Sequence, residues 1–287
     1  MATNSTALPK TPTTTRIKRR FEELGRRGEM GLVAFLTAGD PSLAATESFV
    51  LALADAGADV VELGVPFSDP VADGPAIQRS SERALRAGAT LSGVLDLVAS
   101  IRRKSDVSLV LFSYYNPVLQ MGIERFACRA AEAGTDGVLI TDLTPEEDGD
   151  YRPAMHAHGL DTVFLAAPTS TDERLARIAE ASSGFLYVIS RTGVTGARES
   201  LPEDLPALIR RVRRASRLPI AVGFGISLPG QVSILGGLAD AAVVGSALVL
   251  EIEQAASVDA AREALSARVR ALKDAGKTGM SRREPGT

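Results

Sequence analysis

The chain has 287 residues, of which 45% are hydrophobic and 23% are charged, so it can bury a substantial core. Its single cysteine, Cys128, excludes a disulfide-stapled fold and a cysteine-based metal cluster. The net charge of −3 conceals a basic start, because residues 1–20 hold five basic and no acidic side chains. The acidic remainder does not favour nucleic acid as a partner, and no apolar run reaches the length of a membrane span. We therefore expect a cytoplasmic protein that binds neither nucleic acid nor a membrane.

Short, almost continuous apolar runs recur along the chain, as is typical of strands that are buried on both faces. The runs are residues 32–37, 59–64, 108–113, 136–141, 161–166, 184–190, 218–223 and 240–245. Between them lie amphipathic stretches of helical length, and the clearest are residues 41–56, 91–104, 122–133, 172–181 and 202–216. The pattern predicts eight parallel strands separated by helices.

Repeated junctions support one architecture, because residues 52–64, 130–142 and 236–245 each pass from a helix through a Gly or Ala and an Asp into a strand. We therefore predict an α/β fold, a (β/α)8 TIM barrel with an extra N-terminal helix, spanning residues 15–274 as one domain. An open doubly wound sheet is the alternative, disfavoured because no GxGxxG follows the first strand. Residues 1–14 and 275–287 are expected to be disordered tails.

Glu62 is the sharpest candidate for chemistry, because it interrupts the apolar run at residues 59–64. Near the end of a barrel strand it would face the mouth of the barrel, where partial burial raises a carboxyl pKa and suits it to acid–base catalysis. Pairing with a nearby cation is the structural alternative. Asp69 and Asp73 follow in the long loop 65–75, where Asp also serves simply as a turn former. Proximity to Glu62 makes Asp73 the candidate for a second acid–base group.

Three glycine-rich segments follow the last three predicted strands, at residues 191–196, 223–227 and 245–247. Backbone N–H groups at a helix N-terminus bind phosphate, and barrels of this kind often hold a phosphate after strands seven and eight. Chance turns are the alternative for any one segment. The loops 65–75 and 191–201 are longer than simple connectors and are candidate lids.

Five aromatic residues fall at or near strand ends, and together they could wall an aromatic substrate, although each alone fits barrel packing. They are Phe35, Phe112, Tyr114, Tyr187 and Phe224. The two histidines are spaced two apart, on different faces of a helix, so no metal site is expected.

The sequence resembles the α chain of tryptophan synthase from about residue 15 to about residue 270. The resemblance rests on FLTAGDP (35–41), ELGVPFSDPVADGPAIQ (62–78), YYNP (114–117), ISRTGVTGA (189–197), GFGIS (223–227) and VVGSALV (243–249). It implies a TIM-barrel lyase that cleaves indole-3-glycerol phosphate into indole and glyceraldehyde 3-phosphate, with no metal or cofactor of its own.

The resemblance also implies roles for single residues. Glu62 matches the glutamate that moves protons between the glyceryl hydroxyl and indole C3, and Asp73 matches the aspartate that stabilises the indole nitrogen. Thr195 resembles a loop threonine that meets Asp73 when the site closes, and Asp69 a residue used in communication with the β chain. The positions that match the phosphate site are Gly196, Gly225, Gly245 and Ser246. Those that match the indole pocket are Phe35, Phe112, Tyr187 and Phe224.

The partner that the resemblance implies is a β chain that carries pyridoxal phosphate, in an α2β2 heterotetramer. Two alternatives stay open: a stand-alone indole-releasing lyase, and a catalytically weak subunit that activates a β chain. Thr144 stands where the family typically has a proline near the β-chain contact, which leaves the details of that interface open.

Overall fold

Nine short parallel strands form one sheet in the residues that this computed structural model describes, which are 14–189, 201–223 and 225–280. They are β1 (Gly31–Thr37), β2 (Val60–Gly64), β3 (Ser108–Ser113), β4 (Gly137–Ile140), β5 (Asp161–Val163), β6 (Leu165–Ala166), β7 (Leu186–Ile189), β8 (Ile220–Gly223) and β9 (Ala241–Val244). Each predicted apolar run forms one strand, except that the fifth run forms both β5 and β6.

The sheet closes on itself through the backbone at Phe164. β5 pairs with β4 and β6 pairs with β7, and Phe164 alone separates β5 from β6. The strand order β5-β4-β3-β2-β1-β9-β8-β7-β6 therefore starts and ends on consecutive stretches of chain. An open doubly wound sheet has two distant edges, so that alternative is wrong and the (β/α)8 barrel is confirmed.

Helices surround this barrel. Those described are α1 (Arg16–Arg27), α2 (Leu43–Asp55), α3 (Pro75–Arg86), α4 (Leu91–Arg102), α5 (Tyr115–Met121), α6 (Ile123–Ala133), α7 (Tyr151–Ala157), α8 (Asp172–Ala181), α9 (Leu205–Ala215), α10 (Pro229–Leu235), α11 (Ser246–Gln254) and α12 (Val258–Met280). Across the described part of the chain no single helix could cross a membrane, and only α3 and α4 taken together across a 95° bend meet the length and composition of a span.

Local capping interactions set the observed helix boundaries, which differ from those predicted from the amphipathic pattern. The Ser42 hydroxyl accepts a hydrogen bond from the Ala45 N–H at 3.1 Å, so α2 begins at Leu43 and not at residue 41. At the other end of the chain, α12 continues to Met280, so the boundary predicted after residue 274 is wrong. Residues 1–13 and 281–287 of the predicted tails lie outside the described residues.

Side chains on the strands alternate between the helix layer and the barrel interior. On β1, Leu32 and Ala34 pack into the large core shared with the helices, whereas Val33 joins Val60 and Val110 in a separate interior cluster. The same alternation on β2 turns Val61 outward and leaves position 62 facing inward.

α1 is the predicted extra helix, and it closes the N-terminal end of the barrel. Its buried side chains Ile17, Phe21 and Leu24 belong to the interior cluster, and the Phe21 ring lies 5.8 Å from that of Phe185. The Thr15 hydroxyl, which caps α1, also donates a 2.6 Å hydrogen bond to Asp161. In the described part of the chain α1 therefore covers this end of the barrel, and the cavity described below lies at the opposite end.

Asp59 joins the first and last helices to the strands at this closed end. Its buried carboxylate accepts hydrogen bonds of 2.6 Å from Arg20 of α1, from Lys273 of α12 and from the Leu32 N–H. Lys273 also donates to the Met30 carbonyl at 3.0 Å. A buried charge is tolerated when it is paired and hydrogen-bonded in this way.

Because Phe21 of α1 packs in the interior cluster of the barrel, Phe21→Ala removes a large buried ring and lowers the free energy of unfolding by about 3–5 kcal/mol. Denaturant unfolding followed by circular dichroism measures the loss. Glu22→Ala, on the exposed face of α1, is the control and changes stability little. Equal effects of the two substitutions would show that α1 is not part of the barrel core.

Candidate active site

A cavity of about 520 Å³ opens at the C-terminal ends of the strands. Eight of the residues predicted for the site line it: Phe35, Glu62, Asp73, Phe112, Tyr187, Gly225, Gly245 and Ser246. The other three, Thr195, Gly196 and Phe224, lie outside the described residues, as does nearly all of the candidate lid 191–201. The residues that can be placed therefore converge on one site.

Glu62 faces this cavity from the middle of the sheet. It stands in register with Phe35 of β1 and Val110 of β3, and its side chain is 0% exposed. Neither carboxyl oxygen has a hydrogen-bond partner within the described part of the chain. Burial alone raises the pKa of this carboxyl from its ordinary 4.5 to about 8, so at neutral pH the group is mostly protonated. Within the described ranges no cation pairs with Glu62, so the alternative of a cation-paired structural carboxylate finds no support there.

Asp73 approaches the cavity from the loop that precedes α3. The Tyr114 hydroxyl donates to its Oδ2 at 3.1 Å and accepts from the Ala72 N–H at 2.9 Å, while Gln78 donates to the Asp73 carbonyl at 2.9 Å. Burial raises the pKa of Asp73 to about 6, and the Tyr114 hydrogen bond opposes that rise. At neutral pH this second carboxyl is mostly ionised.

The two carboxyl groups therefore differ in charge at the same pH, which allows one to give a proton and the other to stabilise a positive charge. Tyr187 is buried near both of them, and its pKa is raised well above the ordinary 10.0 by burial and then by the charges of Glu62 and Asp73. It stays neutral throughout the physiological range. Asp69, by contrast, is not among the lining residues, and its carboxylate accepts a hydrogen bond from Ser68.

Aromatic rings form the wall nearest the carboxyl groups. Phe35 and Phe112 meet edge to face with 5.1 Å between ring centroids. Glycine is required beside them: a Cβ at Gly64 would lie 2.6 Å from the Phe35 ring, and one at Gly223 would collide with the Tyr187 hydroxyl. This part of the cavity fits a flat aromatic ring.

Backbone groups at the start of α11 make another part of the same cavity suitable for an anion. Gly245 caps α11, and the N-terminal residue Ser246 presents the N–H end of that helix to the cavity. Gly225 adopts a left-handed φ of 89°, which favours glycine. Among the described lining residues the two arginines, Arg79 and Arg268, are each paired with a glutamate of α11, so the backbone supplies the free donors.

Sequence reasoning grouped Tyr114 with the aromatic wall and missed its contact with Asp73. The available signal was its place directly after β3, where side chains enter the site. No group of three or more His, Cys, Asp or Glu side chains in the described ranges is arranged to hold a metal ion.

Comparison with known proteins gives one consistent family. A family model described as tryptophan synthase alpha chain matches residues 21–277. The tryptophan synthase alpha chain of Solibacter usitatus is 54% identical over 259 residues, which cover 90% of this chain and 97% of the relative. That of Geobacter sulfurreducens is 48% identical over 260 residues, covering 91% and 98%.

Solved structures agree with the sequence comparison. Tryptophan synthase subunit alpha from Legionella pneumophila superposes with a TM-score of 0.85 at 37% identity, covering 92% of this chain and 98% of that one. A chain of Mycobacterium tuberculosis tryptophan synthase gives a TM-score of 0.84 at 36% identity, covering 92% and 99%. The similarity spans the barrel and both ends of the cavity.

The Tyr114 contact predicts a change in the titration of Asp73. Tyr114→Phe removes the hydroxyl that stabilises the ionised carboxylate, so the pKa of Asp73 rises above 6. Carboxyl carbon chemical shifts followed by NMR across pH 4–9 measure it. Tyr115→Phe is the control, because the Tyr115 ring packs against Tyr151 and not against Asp73. An unchanged or lower Asp73 pKa in Tyr114→Phe would contradict the assignment.

Proposed function

The chain belongs to the tryptophan synthase alpha chain family, and on that basis we propose that Glu62 and Asp73 are its catalytic residues. Its activity is that of a carbon–carbon lyase, the α subunit of tryptophan synthase in tryptophan biosynthesis, which cleaves indole-3-glycerol phosphate. The observation that carries the residue assignment is the buried Glu62 carboxyl, which has no hydrogen-bond partner among the residues the structure describes, in a cavity that Asp73 also lines.

The reaction is a retro-aldol cleavage that needs one proton delivered and one removed. A proton is added to indole C3, which leaves a positive charge on the ring nitrogen. The hydroxyl proton of the adjacent glyceryl carbon then departs, that carbon becomes the aldehyde, and the bond to indole C3 breaks. The electron pair of that bond neutralises the ring nitrogen, and indole is released beside glyceraldehyde 3-phosphate.

Glu62 has the protonation state that this order of proton transfers requires. With a pKa of about 8 it holds a proton at neutral pH and can give it to indole C3. The carboxylate that results can then accept the proton of the glyceryl hydroxyl, which restores the starting state. One residue thereby serves both proton transfers, and each turnover begins with the same carboxylic acid.

Asp73 has the charge state that complements the protonated Glu62. With a pKa of about 6 it is mostly ionised at neutral pH, and it can hold a hydrogen bond from the ring nitrogen as positive charge develops there. The edge-to-face pair Phe35 and Phe112, together with Tyr187, would enclose the indole ring. Phe224 belongs to the same proposed wall on the family resemblance alone.

The substrate phosphate belongs, in this proposal, at the start of α11. Gly245, Ser246 and Gly225 supply backbone donors, and the helix N-terminus favours a negative charge. Gly196 is added from the family resemblance, and so is Thr195 as a partner of Asp73 in the closed site. An aromatic wall and an anion site within one cavity match a substrate that carries both an indole ring and a phosphate.

The proposed partner is a tryptophan synthase β chain, in an α2β2 heterotetramer. Solved structures of tryptophan synthase from Mycobacterium tuberculosis contain chains that superpose on this one, which supports the assembly. In the proposal the chain needs no cofactor, pyridoxal phosphate belongs to the β chain, and the complex works in the cytoplasm. Asp69 and the segment around Thr144, whose hydroxyl hydrogen-bonds to Glu147 at 3.0 Å, are proposed to face the partner.

Glu62→Gln tests the catalytic assignment. The amide keeps the shape of the side chain but cannot cycle a proton, so indole release falls by about 10²–10⁴-fold.

The same substitution changes how stability depends on pH. The wild-type carboxyl is protonated in the folded protein up to about pH 8 but ionises from about pH 4.5 in the unfolded chain, so the free energy of unfolding falls as pH rises between these values.

The free energy of unfolding of Glu62→Gln is therefore less dependent on pH between 4.5 and 8 than that of the wild type. Indole release assayed with substrate, and urea unfolding at several pH values, measure the two effects. More than a tenth of wild-type turnover in the variant would refute the assignment of Glu62.

The partner proposal predicts that adding the cognate β chain speeds indole release by at least about tenfold, because closure completes the site. Steady-state turnover with and without the β chain measures it, with Glu62→Gln in the same complex as the background control. Full turnover by the isolated chain would favour the stand-alone lyase. Slow turnover that the β chain does not raise would favour a catalytically weak activating subunit.

A further inference from the structure

Four charged side chains join three elements beside the cavity. Asp40 lies in the loop after β1, Arg79 and Arg83 lie on α3, and Glu253 lies on α11. We call these four residues the α3–α11 clamp. None of them is among the residues assigned above to proton transfer or to substrate binding.

The clamp has a fixed geometry between the two helices. Arg79 donates from Nε and Nη2 to the two oxygens of Glu253, both at 2.7 Å, and Arg83 Nη1 donates to the same carboxylate at 2.8 Å. Two-point contact between a guanidinium and a carboxylate restricts both distance and angle. The pair of arginines also holds the pKa of Glu253 at about 2, mainly through the Arg79 hydrogen bonds.

The same arginine ties α3 to the barrel. Arg83 Nε and Nη2 donate to the Asp40 carboxylate at 2.8 and 2.7 Å, and that carboxylate is 1% exposed. One turn earlier, Ser80 shares a buried 2.5 Å hydrogen bond with Thr37 of β1. α3 is therefore anchored at successive turns, and α11 is anchored to α3.

The two helices carry different parts of the proposed site. α3 begins at Pro75, two residues after Asp73, and α11 begins at Ser246 in the anion site. Ile77 of α3 and Leu250 of α11 line the same cavity. The spacing of these helices consequently sets the distance between the carboxylate for the indole nitrogen and the donors for the phosphate.

We propose that Arg79, Arg83 and Glu253 are positioning residues that hold Asp73 at the working distance from the phosphate site. The proposal rests on the proposed function, because one substrate must engage both ends at once. Displacing a reacting group by about 1 Å can cost 10²-fold in rate. Loosening the clamp lowers turnover and leaves each end able to bind its own half of the substrate.

Glu253→Gln and Arg79→Met test the proposal without leaving Asp40 unpaired. Each is expected to lower kcat for indole release by about tenfold or more and to change KM by less than about threefold, because both ends of the site stay intact. The double variant is expected to be no worse than the more damaging single variant, since both break one contact. Arg79→Lys, which keeps a charge but not the two-point contact, recovers part of the loss.

The measurements use the full chain with its cognate β chain and include the dissociation constants of indole and of glycerol 3-phosphate, each alone. Both constants stay within twofold of wild type if the clamp acts on spacing. Glu82→Gln is the matched control: it breaks an exposed ion pair with Arg86 within α3 and leaves kcat unchanged.

Three results would overturn the proposal that the clamp positions Asp73. A Glu253→Gln variant with kcat within twofold of wild type would do so, and if Glu62→Gln is inactive in the same assay, the proposed function still stands. Weaker binding of both half-ligands together with a lower Tm would show general loosening of the fold and not positioning. No indole release by the wild-type complex would overturn the clamp and the proposed function together.

Discussion

A carboxyl group that is enclosed in the barrel and has no polar partner among the described residues is the constraint on which the rest of this structure depends. Alternation along β2 leaves position 62 no direction except inward, and the neighbouring strands cover it completely. Such a group opposes folding at neutral pH, so other interactions must outweigh it. The sheet that closes at Phe164, the helix that fills the lower end of the barrel and the paired charges around Asp59 supply that stability far from the reacting atoms.

Burial and one hydrogen bond together separate the chemistry of the two carboxyl groups. Glu62 is fully buried and Asp73 is half-buried at the same mouth of the barrel, and burial raises the pKa of each. Asp73 receives the Tyr114 hydroxyl, whereas Glu62 receives no donor in the described part of the chain. Deeper burial of Glu62, the higher ordinary pKa of a glutamate and the Tyr114 hydrogen bond to Asp73 all contribute to the difference in pKa between about 8 and about 6. This difference divides the pair into an acid that holds its proton and a carboxylate that has lost it.

The repeating features of the fold could be predicted from the sequence, whereas contacts between residues far apart in the chain could not. Eight apolar runs with helices between them are enough for the barrel, and a glutamate inside such a run is enough to single out Glu62. The division of the fifth strand at Phe164 was not predictable, because it follows from which neighbours each half pairs with. Arg83 and Glu253 are 170 residues apart, and Tyr114 and Asp73 are 41 apart, so no local spacing reveals either contact. The end of α12 was missed because a Gly- and Lys-containing stretch resembles a tail in composition.

The pairing of Asp59 has a consequence for the order in which the protein can assemble during synthesis. Arg20, its arginine partner, is made before it, but its lysine partner is at position 273. In the same way, β1 can pair with β9 only after Ala241–Val244 have been made. Until Lys273 has been made the carboxylate lacks its ammonium partner, and until β9 has been made β1 has only one of its two strand neighbours, β2. Contacts of such long sequence separation slow folding and leave intermediates exposed. The newly made chain thus spends most of its synthesis as an incomplete sheet, and α12 is the element that completes the pairing of Asp59.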